Sequence, residues 1–143
     1  MKKQDEPVED DECVLRLIWW SFLVHDDKGL ARIAPAAFKP KKNEIEGISV
    51  FREACLDSPD QVLEVISPEK RSLYAIARLK VADLLALGLS VKPDPIQRVS
   101  GHAVIPELSI SIQMDETGKW TDMQKRLAVL AFNSLERLPT DFS

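Results

Sequence analysis

The chain has 143 residues, two cysteines and a formal net charge of −4 at pH 7. This length fits one domain of roughly 100 to 200 residues, which can bury a core without a disulfide or a structural metal. Cys13 and Cys55 stand alone in the sequence, so neither a disulfide framework nor a zinc ribbon is predicted. We therefore expect one small domain in a reducing, cytoplasmic compartment.

The negative charge is concentrated at the start of the chain. Residues 1–12 contain six acidic residues and two lysines, whereas the rest of the chain is neutral overall. Because this segment has few apolar side chains, we predict a disordered acidic tail over residues 1–12 and a single domain over residues 13–143. A neutral domain argues against nucleic-acid binding by phosphate neutralisation. The apolar run at 17–24 is shorter than the roughly 20 residues of a membrane span, and no secretory signal is expected.

The first half of the domain predicts strands and one hairpin. Residues 13–24, CVLRLIWWSFLV, are rich in β-branched and aromatic side chains and predict a central strand. Turn-forming residues follow at 25–29, and the extended pattern at 30–34 completes a hairpin. After a loop rich in proline and lysine, in which Phe38 is expected to be buried, residues 45–52 predict another strand.

The middle of the chain mixes helical and extended patterns. Ser58, followed by Pro59 and Gln61, predicts a helix that begins with a capping box. Residues 67–81 fit either a second capped helix or a strand, and we favour a strand over Tyr74–Leu79. In this stretch the sequence pattern distinguishes least clearly between helix and strand.

The remaining elements predict an α+β fold. Residues 81–88 predict two helical turns closed by Gly88, and residues 101–106 and 109–114 predict short strands. The spacing of apolar residues predicts a helix over 121–138, capped by Thr121 and Gln124 and ended by a proline. The fold class is therefore α+β, a small mixed, mainly antiparallel sheet with two or three helices, the longest at the C-terminus.

His102 is the main candidate for chemistry, because its small neighbours Gly101 and Ala103 leave room for a substrate. Glu107 could hold the imidazole or act as a second acid/base group, and Arg52 could bind an anion. His102, Glu107 and Arg52 are thus the candidate catalytic residues. A histidine hydrogen-bonded at a sheet edge for structural reasons is the alternative.

Other kinds of site lack support in the sequence. The motifs GxGxxG, GxxxxGK[ST], GxSxG and HExxH are missing, so dinucleotide, P-loop, hydrolase and zincin chemistry are not predicted. His25, Asp26 and Asp27 are adjacent and point to different sides of an extended chain, which a turn explains better than a metal. No cofactor and no metal are predicted.

Trp19 and Trp20 are the candidate partner-binding residues. Adjacent residues of a strand face opposite sides of the sheet, so one of these rings is expected to meet a helix, another chain or water. Exposure of that ring would mark a binding surface.

Three segments carry a resemblance to other sequences. ISVFR at 48–52, GLSVKPDP at 88–95 and GHAVIPEL at 101–108, together with Phe38, resemble a group of short uncharacterised bacterial proteins with a similar order of elements. The resemblance covers residues 14–108. Because that group has no assigned activity, it implies a bacterial or phage origin and directs attention to His102.

We therefore expect a non-enzymatic protein-interaction module of a bacterial or phage intracellular system. It would bind a protein partner or form a homo-oligomer through the Trp19/Trp20 strand or the last helix. The alternative is a small enzyme or toxin-like effector with a site around His102. A third possibility is a regulator whose acidic tail contacts a basic protein or a nucleic-acid enzyme.

Overall fold

The computed structural model describes residues 3–109 and 117–139. Eight strands occur in this part of the chain: β1 (Cys13–Trp19), β2 (Leu23–His25), β3 (Ala31–Ile33), β4 (Ile48–Arg52), β5 (Tyr74–Lys80), β6 (Lys92–Pro93), β7 (His102–Ile105) and β8 (Leu135–Arg137). The α-helices are α1 (Val81–Ala86) and α2 (Thr117–Asn133). Short 3-10 helices connect them at Trp20–Phe22, Pro35–Phe38, Glu53–Cys55, Pro59–Val65, Pro68–Leu73 and Pro106–Leu108.

The strands form a six-stranded antiparallel sheet in the order β6-β7-β4-β1-β5-β8 and a separate β2-β3 hairpin. This arrangement confirms the predicted α+β class with its mainly antiparallel sheet. The central strand β1 pairs with β5 along its full length. Its pairing with β4 is limited to Val14 with Arg52 and Leu15 with Phe51. The two strands are therefore unpaired beyond Leu15, which matters for the site described below.

The sheet is apolar on both faces. One face packs against α2 and the Pro35–Phe38 turn and holds the main core, which includes Ile18, Phe38, Val50 and Leu127. The alternate residues Leu15, Phe51 and Ile76 face the other side, where Val62 and Leu63 of a 3-10 helix cover them. On this second face Leu17, Val65 and Tyr74 are only partly buried.

Several predicted element boundaries differ from the structure. The strand predicted over residues 13–24 ends at Trp19, and the chain turns through Trp20–Phe22 into a different sheet. The Ser58 side chain makes no capping hydrogen bond, and the Gln61 side chain instead accepts from the backbone N–H of Asp57 at 2.9 Å. The segment after Ser58 is consequently a 3-10 helix, and the predicted capping box is wrong.

The later elements are closer to the predictions. Strand β5 confirms the extended choice for Tyr74–Leu79, and Gly88 has the predicted left-handed φ of +84° after α1. The last helix begins before Thr121 and ends at Asn133, because residues 135–137 pair with β5 as β8. The predicted strand at 109–114 lies almost entirely outside the described residues. No helix among the described residues is long and apolar enough to cross a membrane.

Part of the predicted disordered tail contacts the domain. Arg52 on β4 is completely buried, and its Nε and Nη2 atoms donate to the Glu12 carboxylate at 3.0 and 2.9 Å. The same guanidinium donates to the backbone carbonyl of Glu6 at 2.6 Å and to that of Pro7 at 3.1 Å. The predicted boundary after residue 12 therefore cuts through a buried ion pair. The composition of residues 1–12 did not indicate this ion pair, because composition does not show which acidic residue pairs with a distant arginine.

Candidate functional site

The structure places Arg52 away from His102. Phe51, not Arg52, pairs with His102 across β4 and β7, and the Phe51 and His102 rings are 5.3 Å apart. Because side chains alternate along a strand, Arg52 lies on the opposite face of the sheet. Hydrogen bonding to the Glu12 carboxylate, opposed by burial, raises the pKa of Arg52. Its guanidinium is occupied in holding the N-terminal segment.

Glu107 is also occupied elsewhere. Its carboxylate accepts hydrogen bonds from the backbone N–H of Ser90 at 2.9 Å and from the Ser90 hydroxyl at 2.7 Å. This pair of bonds ties the turn after β7 to the segment that follows α1. The three predicted catalytic residues are thus not brought together, and Asp94 is the acid beside His102.

His102 is oriented by Asp94. The Nδ1 atom lies 2.7 Å from the backbone carbonyl of Asp94 and 3.4 Å from its carboxylate. A carbonyl can only accept, so we assign the proton to Nδ1 in the neutral ring. That assignment leaves Nε2 as the nitrogen that can meet a ligand. Sequence analysis did not select Asp94, which lies in the irregular PDP segment.

His102 lines a cleft of about 280 Å³ beside Leu17, Phe51 and Tyr74, which we call the Tyr74 cleft. Its apolar surface is formed by Leu17, Phe51, Val65, Ile66, Tyr74 and Ile96. Its polar surface is formed by Arg16, Lys41, Asn43, Glu44, Ser49 and His102. An apolar concavity with a few converging polar groups is the usual form of a binding site.

Arg16 shapes the cleft where β1 and β4 separate. Its Nη1 atom donates to the backbone carbonyl of Ser49 on β4 at 2.8 Å, so the side chain replaces part of the missing strand pairing. Nη1 also donates to the Glu44 carboxylate at 2.7 Å, and Nη2 donates to the Ala37 carbonyl at 3.0 Å. Arg16 therefore joins the sheet to the loop between Pro35 and Gly47.

Glu44 is the acidic partner of Arg16 in this loop. Besides both Arg16 nitrogens, its carboxylate accepts from the backbone N–H groups of Lys41 at 2.9 Å and Ser49 at 2.6 Å. Burial of this carboxylate raises its pKa, but the Arg16 charge and the hydrogen bonds outweigh burial and lower it overall. Glu44 thus remains charged, and both of its carboxylate oxygens accept hydrogen bonds.

Two positive groups at the cleft are less fully satisfied. Among the described residues, the Nε–H of Arg16 is the buried side-chain donor without a hydrogen-bond partner. Lys41 is exposed at the rim, where desolvation by the surrounding groups and the Arg16 charge lower its pKa while Glu44 opposes them. An anion bound beside Lys41 would favour its charged form.

A second cavity of about 360 Å³ lies beside the Tyr74 cleft. The two cavities share Asn43, Glu44, Ser49 and His102. The acidic residues Glu46 and Asp94 line only the second cavity. His102 therefore lines both a cavity with Arg16 and Lys41 and a cavity with Glu46 and Asp94.

The two tryptophans extend the cleft into an aromatic row. The rings of Trp20 and Trp19 are 6.3 Å apart, and the rings of Trp19 and Tyr74 are 5.0 Å apart. Trp20 is 50% exposed. The prediction that the tryptophans face opposite sides of a strand is wrong, because β1 ends at Trp19 and Trp20 begins a 3-10 turn. The row of Trp20, Trp19 and Tyr74 leads from solvent to the cleft.

Metal and thiol chemistry have little support among the described residues. No group of three or more His, Cys, Asp or Glu side chains there is placed to hold a metal ion. Cys13 and Cys55 form no disulfide, and burial raises the pKa of Cys13, with Glu53 adding to the effect. A thiol with a raised pKa is less suited to act as a nucleophile.

Comparisons with protein-family models, curated protein sequences and solved structures gave no match to this chain. The resemblance to short bacterial proteins remains a prediction.

Proposed function

We propose that the protein is a non-enzymatic interaction module that binds a segment of a partner protein through the aromatic row and the Tyr74 cleft. In this proposal it acts in the cytoplasm of a bacterium or of a phage-infected cell. Two cysteines that form no disulfide are compatible with a reducing compartment. The observation that carries the proposal is the half-exposed Trp20 ring in contact with Trp19, at the start of a row that ends in a cleft.

The energetics of exposed tryptophan support binding of a polypeptide. Aromatic side chains dominate the energy of protein interfaces, and tryptophan is enriched among the residues whose truncation costs most. A single exposed ring is common, but here the ring continues into a concave, partly apolar surface. Leu17, Val65 and Tyr74 of that surface are only partly buried, so a bound segment would complete their burial.

Peptide display provides the test. A random-peptide library is selected on the full chain, and the affinities of enriched peptides are measured by fluorescence polarisation for wild type and Trp20→Ala. We expect Trp20→Ala to weaken binding about tenfold or more, because it removes an anchor ring from the surface. Val129→Ala is the matched control, since Val129 is 62% exposed on α2, away from the cleft.

Two results would count against the proposal. One is a library that yields no binder, and the other is a set of binders that tolerate Trp20→Ala but lose affinity with Val129→Ala. Light scattering after size-exclusion chromatography tests whether the partner is a second copy of this chain. A wild-type dimer that dissociates in the Trp20→Ala variant would identify the second copy as the partner.

A second candidate is the small enzyme or toxin-like effector with a site around His102. The observation that favours it is the Nδ1 contact with Asp94, since an imidazole oriented in this way presents a basic Nε2 atom to a cleft. Expression of the wild type in a bacterial host would then slow growth, and His102→Ala would restore it. Identical growth of the host with either protein would contradict this candidate.

A further inference from the structure

We propose that the Tyr74 cleft receives a carboxylate side chain, Asp or Glu, from the bound partner segment. This inference rests on the proposed function and adds the chemistry that the cleft selects. Trp20 and Trp19 would hold an apolar part of the segment while the carboxylate enters beside Lys41. The argument uses the charges that line the cleft and the partners that these charges already have.

The only acidic residue among those described as lining the Tyr74 cleft is Glu44. Its carboxylate already accepts four N–H groups, from both terminal nitrogens of Arg16 and from the backbone of Lys41 and Ser49. A carboxylate offers about four acceptor positions. Glu44 therefore has little capacity left to pair with the Lys41 ammonium.

Arg16 and Lys41 with the one acid Glu44 leave the cleft lining with a formal charge of 2 − 1 = +1, on a chain of net charge −4. Lys39 and Lys42, both exposed, belong to the same loop. The loop is fixed in place, because Arg16 binds its Ala37 carbonyl and its Glu44 side chain. Because the loop is already ordered, little conformational entropy is lost when an anion binds there.

One uncharged polar group of the cleft also suits a carboxylate. The Asn43 amide can donate a hydrogen bond to it. The buried Nε–H of Arg16, which lacks an acceptor, adds to the positive field at the cleft wall. The competing acids Glu46 and Asp94 line the neighbouring cavity and not this one.

The size of the cleft favours one side chain over a larger ligand. Its volume of about 280 Å³ is near the lower limit of the roughly 300 to 1,000 Å³ that holds small-molecule ligands. A single Asp or Glu side chain next to an apolar residue fits this space, and the aromatic row provides the remaining contact. The selected segment is therefore expected to combine an acidic residue with a nearby aromatic or aliphatic one.

Fragment titration tests the inference without a known partner. The probe is N-acetyl-aspartate N′-methylamide, added to the ¹⁵N-labelled full chain and followed by two-dimensional NMR. For a ligand this small we expect a dissociation constant on the order of millimolar. Saturable shifts are expected at the amides of Lys41, Asn43 and Ser49, whereas the isosteric asparagine compound should give none.

Lys41→Gln is the decisive variant, and Lys42→Gln is its matched control, because Lys42 is equally exposed but does not line the cleft. Lys41→Gln is expected to raise the dissociation constant of the aspartate compound about fivefold or more. Lys42→Gln is expected to raise it less than about twofold. Equal binding of the aspartate and asparagine compounds, or equal losses in the two variants, would overturn the inference. Tighter binding of inorganic phosphate than of the aspartate compound would overturn the assignment to a protein side chain.

The two proposals fail in different ways. If peptides are selected and depend on Trp20 but the aspartate compound does not bind, the aromatic row is supported and the carboxylate site is wrong. If the aspartate compound binds at Lys41 but no peptide is selected, the cleft takes an acid and the protein-binding function is wrong. Enrichment of acidic residues in the selected peptides supports both.

Discussion

At the scale of single residues, two arginines in strands account for most of the buried polar structure. Arg16 and Arg52 are 3% and 0% exposed, and each has a carboxylate partner from outside the sheet. A buried charge is costly unless it is paired and hydrogen-bonded, so each arginine requires its acidic partner. Arg16 holds the loop beside the cleft, and Arg52 holds the N-terminal segment.

Removal of the Glu12 charge is predicted to destabilise the fold. Glu12→Gln leaves the buried Arg52 guanidinium without its counter-charge, and we expect the free energy of unfolding to fall by about 3 to 5 kcal/mol. Urea denaturation at pH 7 measures this change. Asp11→Asn, an exposed neighbour, is the control and should change it by less than about 0.5 kcal/mol. A loss below about 1 kcal/mol for Glu12→Gln would show that the N-terminal contacts contribute little.

The sequence contains a local sign of the buried Arg16–Glu44 pair. Arg16 interrupts an otherwise apolar strand, and a charged residue at a position with an apolar pattern indicates a buried pair or a functional group. Its partner Glu44 lies 28 residues away in an irregular loop, so no periodic pattern joins them. The histidine was recognised from its small neighbours, but its contact with Asp94 depends on tertiary packing.

At the scale of elements, the loop between Pro35 and Gly47 is attached to the sheet by Glu44. The folded-state pKa of Glu44 lies below its ordinary value of 4.5, so the folded protein binds its proton less readily than the unfolded chain does. Its stabilising contribution is therefore fully present above pH 4.5 and is lost as the pH falls through the lower folded-state value. Acid should release this loop before the apolar core is affected.

The comparison of Glu44→Gln with wild type across pH tests this linkage. At pH 7 we expect the variant to be less stable by about 3 kcal/mol, since the buried Arg16 loses its charged partner. The difference should shrink as the pH is lowered below 4.5, because the wild-type carboxyl also becomes neutral. A difference that stays constant from pH 7 to pH 3 would show that the charge of Glu44 is not what stabilises the loop.

The elements themselves were predictable where a local pattern determines them. Alternating and continuous apolar runs identified β1, β4, β5 and β7, because burial on one or both faces of a sheet imposes those patterns. The ends of elements were not predictable from the same patterns. Residues 135–137 leave the helical pattern only because the edge of β5 is available for pairing. The tryptophan pair likewise depends on where β1 stops.

At the scale of the whole molecule, the two faces of the sheet have different roles. The face under α2 is closed by the main core, and Arg52 is buried on the same side. The opposite face carries the aromatic row, the Tyr74 cleft and His102, and its residues Leu17, Val65 and Tyr74 are only partly buried. Binding is therefore expected on one side of the molecule and structural stabilisation on the other.

The most direct test of this division is the NMR footprint of a selected peptide on the ¹⁵N-labelled full chain. The account predicts that the largest shifts fall at Trp19, Trp20 and Tyr74 and around Lys41, and that α2 and the Glu12 segment are unchanged. A footprint centred on α2, or one spread over the Glu12–Arg52 region, would contradict the assignment of the binding face.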